Sequence, residues 1–348
     1  TVDDLERGPE IFAELLDDRV YQDHLETRRR RQMVMIGYSD SNKDSGIAAA
    51  RWALHQAEER LVAVAESREL DLTLFHGRGG TISRGGGRTH TAALAAPRGA
   101  VRGRLRVTEQ GEIINAKYGL RGIAIRTLEQ AASSVAEATL HDGGDPPPPL
   151  WRQVMEDISV ESRNAYRALV HEDDGFYAYF RQATPIDVIE RMRIGSRPPA
   201  RRQMQGIRDL RAIPWVFAWT QTRAILPGWY GVGQGLEAAL ERHGEAPLKE
   251  MFERWLFMRS MLDDLEMVLA KCDLGIARRY AELAEAPARP YAELIEAEYR
   301  RTVDLVLRLK GTQELLANDA TLSRTIRLRN PYVDPMSLLQ VDLLRRWR

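Results

Sequence analysis

Residues 33–39 read MVMIGYS, a short apolar run that ends in polar residues. An uninterrupted apolar run of this length is typical of a buried parallel strand. Residues 46–70 then carry apolar side chains at helical spacing, and residues 72–75 begin a second apolar run that ends at His76. The order strand, helix, strand predicts parallel β/α units around a sheet.

The rest of the chain adds few strands and many helices. A third strand is predicted at residues 105–108, and a fourth at residues 212–220, which read AIPWVFAWT. Helical periodicity predicts further helices at residues 123–140, 150–170, 236–243, 248–285, 290–317 and 335–347. We therefore predict an α/β chain that is predominantly helical.

The composition argues against several classes of protein. The chain has 348 residues, with 50 Lys plus Arg and 50 Asp plus Glu, and this zero net charge argues against a dedicated nucleic-acid-binding protein. No uncharged apolar run approaches the ~18 residues of a membrane span. The single cysteine, Cys272, excludes an internal disulfide and suits a reducing compartment. Because Thr1 is not a methionine, we expect the chain to be cut from a longer one.

A first polar cluster follows the first predicted strand. Residues 37–46 read GYSDSNKDSG, so Asp40, Lys43 and Asp44 come within a few residues of the strand end. Polar residues at the carboxyl ends of barrel strands face the active site. Asp40 is therefore a candidate oxygen ligand for a hard divalent metal, and Lys43 a candidate contact for an anion. The alternative is a solvated turn in which Asp or Ser caps a helix.

A second cluster is the glycine-rich stretch at residues 75–90, FHGRGGTISRGGGRTH, which follows the second predicted strand. Arg78, Arg84 and Arg88 are interspersed among the glycines. Glycine lets the backbone approach a ligand closely, and arginine matches phosphate and carboxylate oxygens in two-point geometry. The spacing fits neither a P-loop nor a dinucleotide-binding turn. We favour an anion-binding loop over the alternative, a flexible linker.

Two further clusters are less distinctive. Residues 106–112 (RVTEQGE) again lead from a predicted strand into polar residues, as a site wall or a plain turn would. Arg197 lies in an arginine-dense loop, and Arg211 directly precedes the predicted fourth strand, where it meets either an anion or an ion-pair partner. The sequence has no H-x-x-x-H motif and no Cys/His cluster, which argues against a zinc site.

Taken together, these motifs resemble the phosphoenolpyruvate carboxylase family from Thr1 to Arg348. The matching stretches are VMIGYSDSNKDSG, FHGRGGTISRGGG, LRVTEQGEIINAKYG, IGSRPPARR and LRAIPWVFAWTQTRAILPGWYGVG. The resemblance implies carboxylation of phosphoenolpyruvate with bicarbonate, giving oxaloacetate and inorganic phosphate through carboxyphosphate and the enolate of pyruvate. It also implies a requirement for Mg²⁺ or Mn²⁺, a cytoplasmic location and a homotetramer.

The resemblance carries roles to individual residues of this sequence. Asp40 resembles the metal-ligating aspartate of the family. The catalytic residues that it implies are Lys43, His76, Arg78, Arg84, Arg197 and Arg211. It also implies inhibition by a dicarboxylate such as aspartate or malate, held by Lys271 and Arg329, with Arg84 linking that effector site to the catalytic loop. Lys271 and Arg329 have plain structural alternatives, in an amphipathic helix and in a short basic stretch.

The resemblance implies that the chain is incomplete as an enzyme. A (β/α)8 barrel of the TIM type needs eight strands, whereas four are predicted here. We therefore expect the C-terminal half of the barrel at residues 1–235, and an additional helical region carrying the effector site at residues 236–348. The metal-binding glutamate, a catalytic histidine and an inhibitor-binding tail of the family all fall outside this sequence, so we expect the chain alone to be inactive.

Two other functions stay open at the level of sequence. One is a different phosphate-handling barrel enzyme, which would not need bicarbonate. The other is a non-enzymatic helical scaffold with an arginine-rich anion-binding surface, from which substitution of Lys43 or Arg84 removes no turnover.

Overall fold

Three strands form a parallel sheet in the first third of the chain. The computed structural model describes residues 1–84, 86–109, 111–141, 146–192, 206–285 and 290–348. The strands are β1 (Arg31–Gly37), β2 (Asp71–Gly77) and β3 (Arg106–Val107), in the order β1-β2-β3. Ile36 lies opposite His76, and Phe75 lies opposite Arg106. The first three strand predictions are confirmed.

Helices precede, connect and follow these strands. Those of the first third are α1 (Val2–Asp17), α2 (Arg19–Thr27), α3 (Ser39–Ser45), α4 (Ile47–Ser67) and α5 (Thr89–Leu94). Thr1 caps α1, because its hydroxyl accepts from the Asp4 amide at 3.2 Å. Between α3 and α4, Gly46 has φ +78°, which glycine tolerates, and a Cβ there would lie 3.1 Å from the Tyr166 ring. The glycine therefore lets two helices follow each other directly.

Twelve further helices make the chain predominantly helical, as predicted. They are α6 (Gly111–Tyr118), α7 (Arg121–His141), α8 (Pro149–Val170), α9 (Phe176–Ala183), α10 (Ile186–Ile189), α11 (Ala212–Gln221), α12 (Val232–His243), α13 (Glu245–Arg254), α14 (Leu256–Leu269), α15 (Leu274–Ala281), α16 (Pro290–Lys310) and α17 (Ala320–Trp347). Among the described residues, none of these helices combines the length and the apolar character that a membrane crossing requires.

Two apolar cores hold the elements together. The smaller core joins the sheet to α1 and α4, with Ile36 and Leu74 from the strands packed against Leu54 and Leu61. The larger core runs from α4 to α16 and contains fully buried aromatic side chains, among them Trp215 and Trp229. The sheet is therefore covered on one side by α1 and α4, and its carboxyl edge faces the larger helical core.

The fourth predicted strand is wrong, because residues 212–220 lie in helix α11. The run is apolar on all sides, which is typical of either a buried strand or a fully buried helix. Trp215 and Trp219 are almost completely buried on this helix. Pro214 is compatible with the helix because it lies in the first turn, where amide groups have no intrahelical acceptor.

The long helix predicted at residues 248–285 is also wrong, because three helices (α13, α14 and α15) occupy this stretch. The first break falls at Trp255, whose backbone is extended. After the second break, Asp273 caps α15, and its carboxylate accepts from the Ile276 amide at 2.9 Å. An amphipathic pattern does not reveal such breaks, since the apolar stripe continues through each turn.

The larger architecture that was predicted is only partly observed. Among the described residues the sheet has three strands, so a place in a (β/α)8 barrel stays a prediction. The predicted division between residues 235 and 236 falls inside α12, which packs against both α8 and α16 in the larger core. The two-part division likewise stays a prediction.

Candidate active site

The three strands end at one edge of the sheet, and several predicted site residues lie at that edge. Gly37 and Gly77 are paired at the ends of β1 and β2. The Thr108 amide, just beyond β3, donates to the carbonyl of His76 at 3.0 Å. Parallel strands therefore bring their carboxyl ends, and the polar residues that follow them, into one place.

Helix α3 begins directly after β1 and carries the first cluster. Lys43 is 7% exposed, whereas Asp40 in the first turn is exposed. Two contacts fix this short helix against α8: Asp44 pairs with Arg167 at 3.2 Å, and the Lys43 carbonyl lies 3.2 Å from His171 Nε2. Burying a lysine costs free energy, and these contacts hold the helix that carries Lys43 in a defined place after β1.

His76 is the last buried side chain of β2 and has two polar neighbours. Its Nδ1 lies 2.7 Å from the Tyr38 hydroxyl and 3.7 Å from Glu58 Oε1. Burial, with a smaller effect of the Arg78 charge, lowers the pKa of His76 to about 4. Burial also raises the pKa of Glu58 to about 8. At neutral pH the imidazole is therefore uncharged.

The glycine-rich loop is folded back on itself and is not a linker over its described residues. The Gly79 amide donates to the Arg84 carbonyl at 2.6 Å, and an Arg78 guanidinium N–H donates to the Gly86 carbonyl at 3.2 Å. Residues Ile82–Arg84 form a short 3-10 turn. A Cβ on Gly79 would lie 2.4 Å from the Arg84 Cβ, so this contact needs glycine. Arg84 itself is 7% exposed.

One amide side chain joins this loop to the helical core. The Asn42 Nδ2 group, on α3, donates to the Ser83 carbonyl at 2.6 Å and to the Pro227 carbonyl at 3.0 Å. Because Asn42 and Ser83 flank Lys43 and Arg84 in sequence, this clamp sets the position of both cations. It connects α3, the 3-10 turn and the segment before α12.

The last predicted catalytic arginines have different outcomes. Arg211 does not precede a strand; it is the N-cap residue of helix α11, which begins at Ala212. Helix α11 packs against α3, which carries Lys43, and against the 3-10 turn, which carries Arg84. Arg211 therefore lies at the start of a helix that contacts both elements. Its buried Nε has no hydrogen-bond partner among the described residues. Arg197 lies outside the described residues.

The two predicted effector residues are close enough to influence each other electrostatically. Lys271 follows α14, and Arg329 is on α17. Burial and the Arg329 charge lower the pKa of Lys271, and burial and the Arg223 charge lower the pKa of Arg329. Arg223 Nε donates to the Lys271 carbonyl at 3.2 Å, and Arg223 pairs with Asp334. Two described carboxylates act on these three cations: Asp334 on Arg223 and Arg329, and Asp264 on Lys271.

Sequence reasoning missed three residues of these two sites. Tyr38 and Glu58 contact His76, and Arg223 joins the effector cations. Glu58 had a detectable signal, since it interrupts an apolar stripe on α4 that includes Leu54 and Leu61. Tyr38 and Arg223 had none, because their importance depends on neighbours that are distant in sequence.

A divalent metal would find one protein ligand of the predicted kind here. Among the described residues, no three His, Cys, Asp or Glu side chains are grouped as a metal cage. Mg²⁺ often binds through one or two carboxylates and completes its shell with water and substrate oxygens. The exposed carboxylate of Asp40, at the carboxyl edge of the sheet, fits that mode of binding.

Comparison with known proteins assigns the chain to a family. The family model described as phosphoenolpyruvate carboxylase matches residues 1–348. The chain is 52% identical to the phosphoenolpyruvate carboxylase of Xanthomonas campestris pv. campestris (strain 8004), 48% to that of Corynebacterium efficiens and 44% to that of Mycobacterium avium (strain 104). These alignments cover 100% of this chain and 39%, 39% and 38% of the respective relatives.

The chain thus spans about two fifths of the length of the curated relatives it matches. Since the family match extends over every residue and the identities to these relatives are all above 40%, the chain belongs to the phosphoenolpyruvate carboxylase family.

Proposed function

We propose that the chain carries part of the active site of an enzyme that joins bicarbonate to phosphoenolpyruvate, giving oxaloacetate and inorganic phosphate. The observation that carries the proposal is the cluster at the carboxyl edge of the sheet. It presents buried Lys43 and Arg84 on elements that Asn42 clamps together, and a neutral His76 at the end of β2. Family membership supports the same reaction.

The cations suit both steps of this reaction. Bicarbonate attacks the phosphoryl group, which gives carboxyphosphate and the enolate of pyruvate. Carboxyphosphate then breaks down into carbon dioxide and inorganic phosphate, and the enolate carbon attacks the carbon dioxide to give oxaloacetate. Negative charge gathers on phosphate and enolate oxygens in both steps. Lys43, Arg78, Arg84 and Arg211 stabilise that charge where it develops, and a buried site strengthens each interaction. Arg197 belongs to the same proposal by resemblance alone.

His76 and Asp40 have separate proposed roles. The uncharged imidazole of His76 donates or accepts a hydrogen bond without adding a charge to the site. Asp40 holds one side of a Mg²⁺ or Mn²⁺ ion. When bound, this metal acts as a Lewis acid that stabilises negative oxygen.

The second cation cluster is proposed as the site of feedback inhibition. Lys271 and Arg329, with Arg223 beside them, bind a dicarboxylate such as aspartate or malate. The buried Nε of Arg329 has no hydrogen-bond partner within the described ranges, which leaves a donor for a carboxylate. The link from this site through Arg84, the homotetramer and the cytoplasmic location are further proposals from the resemblance.

Substitution of the buried lysine tests the proposed reaction. In the full polypeptide that carries this chain, Lys43→Met should slow bicarbonate-dependent oxaloacetate formation about 100-fold or more, the loss typical of one oxyanion-stabilising donor. Lys249→Met is a matched control, because Lys249 forms a surface ion pair with Glu245 at 2.8 Å. Formation of pyruvate and phosphate without bicarbonate would instead support the other phosphate-handling enzyme, and no turnover at all would support the scaffold.

A further inference from the structure

We propose that Glu58 is a positioning residue that acts through Tyr38 to decide which ring nitrogen of His76 carries the proton. The proposal deepens the proposed carboxylation and, in its catalytic consequence, rests on it. It assigns a task to a buried carboxyl group that takes no direct part in the reaction described above.

The three groups form a compact triangle of polar contacts in the interior. Glu58 is 5% exposed on α4, and His76 is 6% exposed at the end of β2. The Tyr38 hydroxyl contacts both groups, at 2.7 Å from His76 Nδ1 and 3.5 Å from Glu58 Oε1, and His76 Nδ1 is itself 3.7 Å from Glu58 Oε1. These contacts connect α4 with the ends of both long strands, at the edge where the catalytic cluster lies.

A tyrosine hydroxyl has one hydrogen, so it cannot donate to both neighbours at once. When Glu58 is protonated, its carboxyl O–H donates to the Tyr38 oxygen, and Tyr38 donates to His76 Nδ1. The imidazole proton is then on Nε2, which becomes a hydrogen-bond donor. When Glu58 loses its proton to water, Tyr38 donates to the carboxylate, and His76 Nδ1 must carry the proton and donate to Tyr38. Nε2 then becomes an acceptor.

The charges around Glu58 determine which arrangement prevails. Arg78 faces it from the loop after β2 and favours the carboxylate, as does the Tyr38 hydroxyl. Burial opposes both and dominates, so the pKa of Glu58 is about 8. The remaining ionisable groups that line the adjoining cavity of about 240 Å³ are Arg51, His55, Arg88, Asp263, Asp264, Glu266, Lys310 and Asp319. At neutral pH, His76 is therefore the Nε2–H donor that a substrate oxyanion requires.

Nitrogen NMR tests the tautomer without relying on turnover. The chain is labelled with ¹⁵N-histidine, and His76→Gln assigns the His76 signals. We expect an unprotonated Nδ1 at neutral pH, which becomes protonated as the pH rises through about 8. Glu58→Gln should keep Nδ1 unprotonated over this range, because its amide donates to Tyr38 at every pH. Glu59→Gln, on the adjacent residue that pairs with Arg152, should behave like the parent.

Two NMR results would overturn the proposal: a protonated Nδ1 in the parent at neutral pH, or the same titration in Glu58→Gln as in the parent. The catalytic consequence is measured separately, in the full polypeptide. There the alkaline fall in kcat near pH 8 should move upward in Glu58→Gln and not in Glu59→Gln. If the polypeptide shows no carboxylation, the proposed function fails, while the NMR result still decides the role of Glu58.

Discussion

At the scale of single residues, the candidate site depends on burial more than on exposed charge. Lys43, His76 and Arg84 are each below 10% exposed, although their residue types usually lie at the surface. Burial of a polar or charged group costs free energy, and buried ionisable groups are common in functional sites as well as in structural ion-pair networks. The same argument distinguishes these residues from the many surface ion pairs of this arginine-rich chain, which contribute little to stability.

Gly79 illustrates how one missing side chain positions a cation. Because a Cβ at this position would lie 2.4 Å from the Arg84 Cβ, Gly79→Ala should displace Arg84 within the loop. We expect carboxylation by the full polypeptide to fall about 10-fold or more. The unfolding free energy should also fall, by about 1–3 kcal/mol, as in other overpacked sites.

The control is Gly8→Ala in α1, where a Cβ would meet nothing within 4 Å. It should leave carboxylation unchanged and raise the unfolding free energy by up to about 1 kcal/mol. Equal activity of Gly79→Ala and the parent would show that the position of Arg84 does not limit the reaction.

His55 provides a prediction on stability that is independent of activity. Its ring is 4.5 Å from that of Phe257 and stacks on Trp52, and burial lowers its pKa to about 3. The unfolded chain takes up this proton below about pH 6.5, whereas the folded chain does so only near the lower pKa. His55 therefore destabilises the fold progressively as the pH falls below about 6.5.

His55→Phe removes this proton uptake. The difference in unfolding free energy between variant and parent should be about 2 kcal/mol more favourable to the variant at about pH 5 than at about pH 8. The reason is that each pH unit between the two pKa values contributes about 1.36 kcal/mol. Urea unfolding at the two pH values measures it. If the difference in unfolding free energy between variant and parent did not change with pH, His55 would be protonated as readily in the folded chain as in the unfolded one.

At the scale of elements, the sites are assembled from helix and strand ends. Parallel strands expose their carboxyl ends at one edge, so α3 and the glycine-rich loop start there by topology. The proposed effector cluster follows this logic only in part, because Lys271 lies in the turn after α14, whereas Arg329 lies within α17. Short turns satisfy their backbone through a few contacts, such as that of Arg223 with the Lys271 carbonyl, and so leave side chains free for ligands.

Removal of one cation from that cluster should separate inhibition from catalysis. In the full polypeptide, Lys271→Met should weaken inhibition by aspartate or malate about 10-fold or more, the loss of about 1.5–3 kcal/mol expected for a hydrogen bond to a charged group. Catalysis without inhibitor should be retained, because Lys271 is not among the proposed catalytic residues.

Inhibition curves at fixed phosphoenolpyruvate measure the effect. Arg327→Met on α17 is the control, since Arg327 is exposed, and its inhibition should match that of the parent. Unaltered inhibition of Lys271→Met would place the effector elsewhere.

At the scale of the whole molecule, two features suggest that this chain contacts further protein: exposed apolar side chains on α17 and a length below that of its relatives. Its large core is fully buried, yet several large apolar side chains on α17 are exposed: Leu328, Tyr332, Met336, Leu339 and Leu343. Exposed apolar patches of this kind usually contact further protein. The chain also spans only about two fifths of the length of the curated relatives it matches.

We therefore expect the 348-residue polypeptide alone to form no measurable oxaloacetate. Asp40 is the single metal ligand among the proposed site residues, and the chain aligns with only about two fifths of the length of its relatives. A coupled assay of oxaloacetate, with bicarbonate and Mg²⁺ or Mn²⁺ present, measures this, and the full polypeptide is the positive control. Turnover by the isolated chain that matched the full polypeptide would contradict the expectation.

The amino-acid sequence was enough to predict the family, the first three strands and the predominantly helical character; the candidate site residues that it indicated stay a prediction. These depend on local apolar runs and on short motifs in which chemistry needs particular residue types. Only the tertiary structure decided that residues 212–220 form a helix, and that Tyr38 and Glu58 meet His76. A uniformly apolar segment has no periodicity that distinguishes a strand from a helix. Burial and hydrogen bonding between residues distant in sequence arise only when the chain packs.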